Sequence, residues 1–304
     1  MVAGDQQPLT GLIIGIGHGT MRDGPGWRSI VYFKGCNFRC AWCSSPDTLR
    51  ASPEILFYPE RVKYAERLAA ACPAGALRVH TDGLRLDRVV CSACASLSCA
   101  AACVDGSIER SGFTVTVEEV MREILVYRHA HSNYGVTLSG GEATLQWNFF
   151  MALLQACRTH GLPTAVETNG SCPHLPQCFH LVDLMIIDLK HMNDETHRKY
   201  TGHGNADVLR NIQDAAHATR ELRIRIPLVP GINDGKNIED TIRFLLPLKD
   251  KITVEILGHH GLGLYKWRAL GRDGFLINAP CPAPEVIFDV QEKLKLAGLM
   301  VISS

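Results

Sequence analysis

The chain is predicted to be an α/β protein whose parallel strands close, wholly or in part, into a barrel. Short apolar runs rich in β-forming residues alternate with amphipathic stretches through most of the 304 residues. Between about residues 51 and 112 the chain is instead rich in Ala and Cys, and the alternation stops. We therefore expect a small inserted domain at 51–112 and a larger domain made of residues 1–50 and 113–304.

The predicted strands are the short apolar runs that lie between turn residues. They are Gly11–Ile16, Ile30–Lys34, Gly135–Ser139, Pro163–Glu167, Leu184–Asp188, Arg223–Val229, Ile252–Leu257 and Leu299–Ile302. Apolar spacing of three and four residues predicts the helices between them. These are Val117–His131, Trp147–His160, Asp207–Thr219, Asn237–Lys249 and Pro284–Ala297. Asn237 is the predicted N-cap of its helix.

Composition narrows the class of protein. Lys plus Arg and Asp plus Glu both number 31, so we expect neither a nucleic-acid surface nor a polybasic membrane surface. No apolar run approaches the roughly 18 residues of a membrane span, and the first ten residues lack the pattern of a secretory signal. We expect a cytoplasmic protein that acts on small molecules or on other proteins.

Most of the twelve cysteines lie in or just before two tight clusters, which is typical of metal binding in a reducing compartment. The first cluster is Cys36, Cys40 and Cys43, in G-C-N-F-R-C-A-W-C. Three thiolates can hold a four-iron cluster and leave one iron open to a small molecule. A zinc site would need a fourth ligand, and no His or Cys stands between Cys43 and Cys72. Four scattered cysteines are predicted to be packing residues: Cys157, Cys172, Cys178 and Cys281.

Two motifs are predicted to share one rim of the barrel. The three-cysteine loop follows the predicted strand Ile30–Lys34, and the turn Ser139-Gly140-Gly141-Glu142 ends the next barrel strand. Barrel enzymes place their active sites at the C-terminal ends of the strands. Two glycines let the backbone approach a ligand closely, and Glu142 supplies a carboxylate.

The order of these motifs resembles that of the radical S-adenosylmethionine superfamily. Within it, Asp23-Gly24-Pro25-Gly26, Asp188-Leu189-Lys190 and V-P-G-I-N-D at 229–234 are similar to motifs in the activating enzymes of glycyl radical enzymes. The resemblance implies a partial (β/α)6 TIM-like barrel that holds a [4Fe-4S] cluster on the three cysteines, with S-adenosylmethionine on the open iron. It implies reductive cleavage of that cofactor to a 5′-deoxyadenosyl radical, which takes a hydrogen from a glycine Cα of a partner enzyme. Flavodoxin or ferredoxin is the implied electron donor.

The resemblance also implies contacts to S-adenosylmethionine. The residues of the turn, Ser139, Gly140, Gly141 and Glu142, would contact the methionyl amine. Asp188 and Lys190 lie two apart on a strand, so their side chains share a face, and Lys190 would meet the methionyl carboxylate.

Arg225 is similar to the family's arginine near that carboxylate, with Arg223 as an alternative on the same face. His260 is similar to a histidine near the adenosine, with His259 as a close competitor.

Three short segments differ from the pattern of the family. The turn that contains Glu167 and Thr168 resembles an acidic-Thr-Asn-Gly turn whose acid and threonine help to bind a monovalent cation, although the family's acid is Asp. Ser44-Ser45 stands where the family often has His-Asn, and Ala143 stands where it usually has Pro. None of these differences removes an iron ligand.

The second group of cysteines resembles a ferredoxin insertion of the kind that carries two further clusters. Its members are Cys72, Cys91, Cys94, Cys99 and Cys103. The first four would hold one auxiliary [4Fe-4S] cluster, which leaves Cys103 as the remaining ligand of a lost second cluster. Alternatively the last four hold the cluster and Cys72 is free, or the insertion holds none.

Two other functions are compatible with a three-cysteine cluster site. One is a radical enzyme acting on a small metabolite, and the other is a ferredoxin-like electron carrier whose first cluster is inert. The D-G-P-G and D-L-K motifs favour the activating enzyme.

Overall fold

One mixed sheet forms the centre of the structure, a computed structural model that describes residues 8–21, 23–128, 133–273, 277 and 279–302. The strands in chain order are β1 (Thr10–Thr20), β2 (Arg28–Phe33), β3 (Glu54–Phe57), β4 (Leu77–His80), β5 (Gly83–Leu86), β6 (Ile108–Ser111), β7 (Phe113–Thr116), β8 (Gly135–Gly140), β9 (Thr164–Thr168), β10 (Leu184–Asp188), β11 (Glu221–Leu228), β12 (Thr253–Gly258) and β13 (Val301–Ile302). The α-helices are α1 (Ala65–Ala70), α2 (Arg88–Ser92), α3 (Ser98–Ala102), α4 (Val117–Arg128), α5 (Trp147–Thr159), α6 (Asp194–Thr201), α7 (Ala206–Ala218), α8 (Lys236–Leu245), α9 (Leu264–Ala269) and α10 (Pro284–Leu296). None of the helices described is long and apolar enough to cross a membrane.

The central sheet has the strand order β13-β12-β11-β10-β9-β8-β2-β1-β7. Strand β2 and strands β8 to β13 run parallel. Strands β1 and β7 add antiparallel strands beyond β2. In the described part of the chain, β7 and β13 end the sheet, so the barrel stays open along one side. The predicted fold class, a partial TIM-like α/β barrel, is confirmed.

Most predicted elements occur within a few residues of their expected bounds, and Leu184–Asp188 occurs without change. The predicted helix Val117–His131 is observed to Arg128, and residues 129–131 lie outside the described residues.

The predicted N-cap at Asn237 is wrong. Helix α8 begins one residue earlier, and the side chain of Asn237 lies buried inside it, where it accepts from the Met192 N–H at 2.8 Å. The same helix ends at Leu245 because Pro247 cannot donate the next backbone hydrogen bond.

The region between β2 and β7 forms two small sheets of its own. Strand β3 pairs with β6, and β4 pairs with β5, around a separate hydrophobic cluster that includes Ile55, Leu68 and Leu84. A buried ion pair joins this region to the barrel, since Lys34 Nζ lies 2.9 Å from Glu54 Oε1. Removing Glu54 would leave the buried ammonium of Lys34 without its ion-pair partner, which typically costs about 3–5 kcal/mol, whereas removing Lys34 would leave Glu54 its second partner, Arg272.

Candidate active site

A cavity of about 320 Å³ lies at the C-terminal ends of the parallel strands. Loops and strand ends from β2, β8, β9, β10, β11 and β12 all contribute to its wall. The rim of the barrel predicted to carry the site is therefore where the cavity is found. Its wall includes most of the predicted site residues: Cys36, Cys40, Cys43, Ser139, Gly140, Gly141, Thr168, Asp188, Lys190, Arg225 and His260.

The loop that carries the three cysteines is held by distant parts of the chain. Backbone N–H groups of Arg39 and Ala41 donate to the carbonyls of Thr201 and Tyr200 at 2.7 and 3.0 Å, at the C-terminal end of α6. On the other side, Trp267 Nε1 in α9 donates to the Cys43 carbonyl at 2.8 Å. The loop is thus anchored from two directions.

The three thiols are strongly shielded from water. Burial raises the pKa of Cys36 and Cys40, and it raises the pKa of Cys43 to about 12. Neighbouring thiols also contribute to the raised pKa of Cys36 and Cys43. A cationic group bound to such thiols favours their thiolate forms, and the iron of an iron–sulfur cluster is such a group. Among the described residues, no three His, Cys, Asp or Glu side chains converge around a point suited to a single metal ion.

The two glycines of the Ser139-Gly140-Gly141-Glu142 turn allow it to press against the start of the cysteine loop. Gly140 has φ +110°, and a Cβ there would lie 2.5 Å from backbone atoms of Phe33. A Cβ on Gly141 would lie 2.3 Å from the Gly35 carbonyl oxygen. The Glu142 N–H donates to that same oxygen at 2.8 Å. Only glycines permit this approach, which aligns the turn with the cysteine loop.

Glu142 itself points away from the cavity and is 1% exposed. Its carboxylate accepts hydrogen bonds from the hydroxyl groups of Thr144 and Thr168, at 2.5 and 2.8 Å. It also accepts from the Asn169 N–H at 2.7 Å. The structure therefore brings three of the four turn residues to the cavity, whereas the Glu142 carboxylate ties the turn after β8 to the turn after β9.

Charged side chains also line the cavity: Glu167, Asp188, Lys190 and Arg225. The strand register places Asp188, Arg225 and Glu255 side by side on β10, β11 and β12. Arg225 donates to Glu255 at 2.8 Å and to Glu167 at 2.6 Å. Lys190 Nζ lies 2.7 Å from Asp188 Oδ2. The cavity thus presents both signs of charge to a ligand.

Of the two candidate arginines, Arg225 lines the cavity, whereas Arg223 contacts Glu255 only at 3.7 Å. Burial alone would lower the pKa of Arg225, but the carboxylates, Glu167 first, outweigh burial and raise it. For Lys190 burial also acts to lower the pKa, and Asp188 raises it overall. Both groups therefore remain cationic.

Both candidate histidines, His259 and His260, line the cavity. His260 is exposed and His259 is half-buried. Burial lowers the pKa of His259, which favours its neutral form near pH 7. The geometry therefore leaves the choice between the two histidines open.

The comparisons with known proteins agree with this geometry. The sequence model of the radical SAM superfamily matches residues 30–245. The isethionate sulfite-lyase activating enzyme of Desulfovibrio desulfuricans is 34% identical over 273 residues, with 86% of this chain and 87% of that one covered. This chain belongs to the radical SAM activating enzymes of glycyl radical enzymes.

Two further relatives of this activating enzyme have other named partners. The (2S)-3-sulfopropanediol dehydratase activating enzyme of Klebsiella oxytoca is 36% identical, with 87% of each chain covered. The 4-hydroxyphenylacetate decarboxylase activating enzyme of Clostridioides difficile strain 630 is 31% identical, with 88% of each chain covered. Membership of the superfamily implies a [4Fe-4S] cluster and S-adenosylmethionine, and a cavity with three thiols on its wall fits such a pair.

Sequence reasoning missed Glu255, which is 2% exposed and lies beside Arg225. The available signal was an acidic residue inside the apolar strand T-V-E-I-L-G, because a buried charge requires a partner. From the sequence, Glu167 was predicted only as a ligand of a monovalent cation. In the structure its carboxylate accepts hydrogen bonds from Arg225 and from the Ser139 hydroxyl, the latter at 2.5 Å.

Proposed function

We propose that this activating enzyme installs a glycyl radical on a separate enzyme and that Cys36, Cys40 and Cys43 hold its [4Fe-4S] cluster. The cluster, when bound, supplies the electron that cleaves S-adenosylmethionine to methionine and a 5′-deoxyadenosyl radical, which removes hydrogen from a glycine Cα. The observation that carries the proposal is that three thiols, a glycine turn and the charged side chains of Asp188, Lys190 and Arg225 line one cavity. The free cysteines agree with a reducing cytoplasmic location, which we also propose.

The residues of the cavity are suited to S-adenosylmethionine because that cofactor carries two cationic groups and one carboxylate. Lys190 and Arg225 offer cations to the methionyl carboxylate, and Asp188 offers an anion to the ammonium group. Ser139, Gly140 and Gly141 let the backbone contact the methionyl end. His260, or His259 in its place, would border the adenosine.

A monovalent cation is not part of this proposal. The two oxygens of Glu167 accept from Arg225 and Ser139, and the Thr168 hydroxyl donates to Glu142. These oxygens are therefore already engaged, and the guanidinium of Arg225 supplies the positive charge beside Glu167.

The activity is tested with reduced, reconstituted protein, S-adenosylmethionine and candidate glycyl radical enzymes. We expect 5′-deoxyadenosine together with the EPR doublet of a glycyl radical. Flavodoxin or ferredoxin is the proposed donor, and dithionite serves as the chemical control. Cleavage without a partner radical would instead favour an enzyme acting on a metabolite, and absence of cleavage would favour an electron carrier.

The same assay identifies which glycyl radical enzyme is the partner. The three relatives are named after an isethionate sulfite-lyase, a sulfopropanediol dehydratase and a hydroxyphenylacetate decarboxylase, at 34%, 36% and 31% identity. Such similar values favour none of these partners, so the assay includes one glycyl radical enzyme of each kind.

We further propose that residues 51–112 form the inserted domain and that Cys72, Cys91, Cys94 and Cys99 hold one auxiliary [4Fe-4S] cluster. Burial is the main cause that raises the pKa of Cys99 to about 11. The thiols of Cys72, Cys91 and Cys94 lie close enough to contribute to that rise by electrostatic repulsion. Cys103 is engaged elsewhere, because its thiol donates to Asp105 at 3.2 Å.

The surroundings of Cys91 support the same assignment. A second cavity, of about 210 Å³, lies between the insertion and the barrel and is lined by Cys91, Arg50, Arg88 and Arg272. Burial raises the pKa of Cys91 overall, and the positive charges of Arg88 and Arg50 act against that rise. A cluster held by four thiolates carries net negative charge, so it is stabilised by neighbouring guanidinium groups.

Iron content after anaerobic reconstitution tests the auxiliary cluster. We expect about eight iron atoms per chain, and about four in Cys72→Ser, because each cubane contains four irons. The matched control Cys103→Ser should keep about eight. The reverse pattern would support the alternative ligand set, and about four irons in the unaltered protein would mean that the insertion holds no cluster.

A further inference from the structure

The buried amide of Asn169 faces the sulfur of Cys36 across two loops. Asn169 follows β9 directly and is 5% exposed. Its Nδ2 lies 3.9 Å from Cys36 Sγ and donates to Asn37 Oδ1 at 2.9 Å. A side-chain amide has two N–H groups, so one is available for each acceptor.

The orientation of this amide is fixed by its other end. Oδ1 of Asn169 accepts from the backbone N–H of Ser171 at 3.0 Å and from its hydroxyl at 2.7 Å. A reversed amide would place its NH₂ group against the Ser171 N–H and would lose that bond, because two donors would face each other. Nδ2 is therefore the group that faces Cys36.

The turn that carries Asn169 is anchored as well. Its backbone N–H donates to Glu142 at 2.7 Å, and Asn37, next to Cys36, donates to the Ser171 hydroxyl at 2.8 Å. The network thus joins the cysteine loop to the turns after β8 and β9. It gives the buried carboxylate of Glu142 a role, since that carboxylate fixes the turn that presents Asn169.

We propose that Asn169 is a positioning residue that donates an N–H hydrogen bond to the Cys36 thiolate and raises the reduction potential of the cluster which that thiolate holds. Hydrogen bonds to cluster sulfurs draw electron density from them, and this favours the reduced state. The inference rests on the proposed role of Cys36 as an iron ligand.

The test is a redox titration of full-length, reconstituted protein, followed by EPR. Asn169→Ala removes the donor, and Asn169→Asp keeps the acceptor toward Ser171 while replacing the NH₂ group. The signal from the cluster at Cys36 is recognised because S-adenosylmethionine alters it. We expect the equilibrium constant for reduction to fall about tenfold in both variants, which is about 59 mV for one electron.

Asn148→Asp provides a matched control, because it makes the same chemical change at an exposed position on α5. Its potential should equal that of the unaltered protein. The potential is measured on the cluster-bearing fraction, so partial loss of iron does not obscure it.

Two results would overturn the inference. One is a potential unchanged within twofold of the equilibrium constant in both Asn169 variants. The other is complete loss of this cluster from both, which would make Asn169 a requirement for assembly. Cys36→Ala is titrated alongside: if it retains the S-adenosylmethionine-responsive cluster, the proposed site itself fails, independently of Asn169.

Discussion

Cys36→Ala will lower the yield of 5′-deoxyadenosine to background and abolish the glycyl radical on the partner. In the proposed ligand set, loss of one of three thiolates would leave two protein ligands for a cluster with an open iron, so neither cluster nor cofactor would be held for electron transfer. The expected loss is at least about a thousandfold in rate, within the range that removal of an essential group produces. The measurement is product formation by chromatography, with EPR of the partner.

Cys281→Ser is the matched control for that variant, because Cys281 is an exposed free cysteine outside the cavity. It should keep full activity and full iron content. Normal cofactor cleavage by Cys36→Ala would refute the assignment of the first cluster.

Arg225→Leu is expected to cost about 3–5 kcal/mol of folding free energy near neutral pH, because it removes the guanidinium from the half-buried carboxylate of Glu167 and the nearer of two guanidinium groups from the buried carboxylate of Glu255. It should also weaken binding of S-adenosylmethionine, since the cavity loses a cation. Urea unfolding monitored by circular dichroism, and a binding titration of the cofactor, measure the two effects. Arg223→Leu, two residues away on the same strand, should cost less because its ion pair is 3.7 Å long.

The stability of Arg225→Leu should depend on pH in a defined direction. Burial already raises the pKa of Glu167, and Arg225 is the largest influence that opposes the rise. Without Arg225 the folded state holds the Glu167 proton more tightly than the unfolded state does. Stability is therefore highest below the unfolded pKa and falls as pH rises toward the raised folded value. A variant equally destabilised relative to the unaltered protein at pH 5 and pH 8 would contradict this account.

The sequence predicted those parts of the fold that depend on local pattern. Leu184–Asp188 was predicted to the residue because a fully buried parallel strand is a short apolar run between polar residues. The bounds of α8 were less predictable, because Asn237 has the chemistry of an N-cap but makes its bonds to Met192 and Asn233 instead. That choice depends on packing between distant loops.

Within the site, motif spacing predicted which loops meet but not which way each side chain points. Glu142 belongs to the turn at the cavity, yet its carboxylate is taken up by Thr144, Thr168 and Asn169. Glu255 lies some 30 residues from Arg225 in sequence and becomes its neighbour only through the pairing of β11 with β12. Partners of this kind follow from strand register, which a single sequence does not specify.

The anchoring of the cysteine loop has a consequence for biosynthesis. The hydrogen bonds that hold this loop come from Tyr200, Thr201 and Trp267, all far later in the chain than Cys43. A nascent chain that has not yet reached residue 267 cannot complete the pocket, although all three thiols emerged from the ribosome long before. Completion of the pocket is therefore a late event in the synthesis of this chain, and it follows the synthesis of most of the barrel.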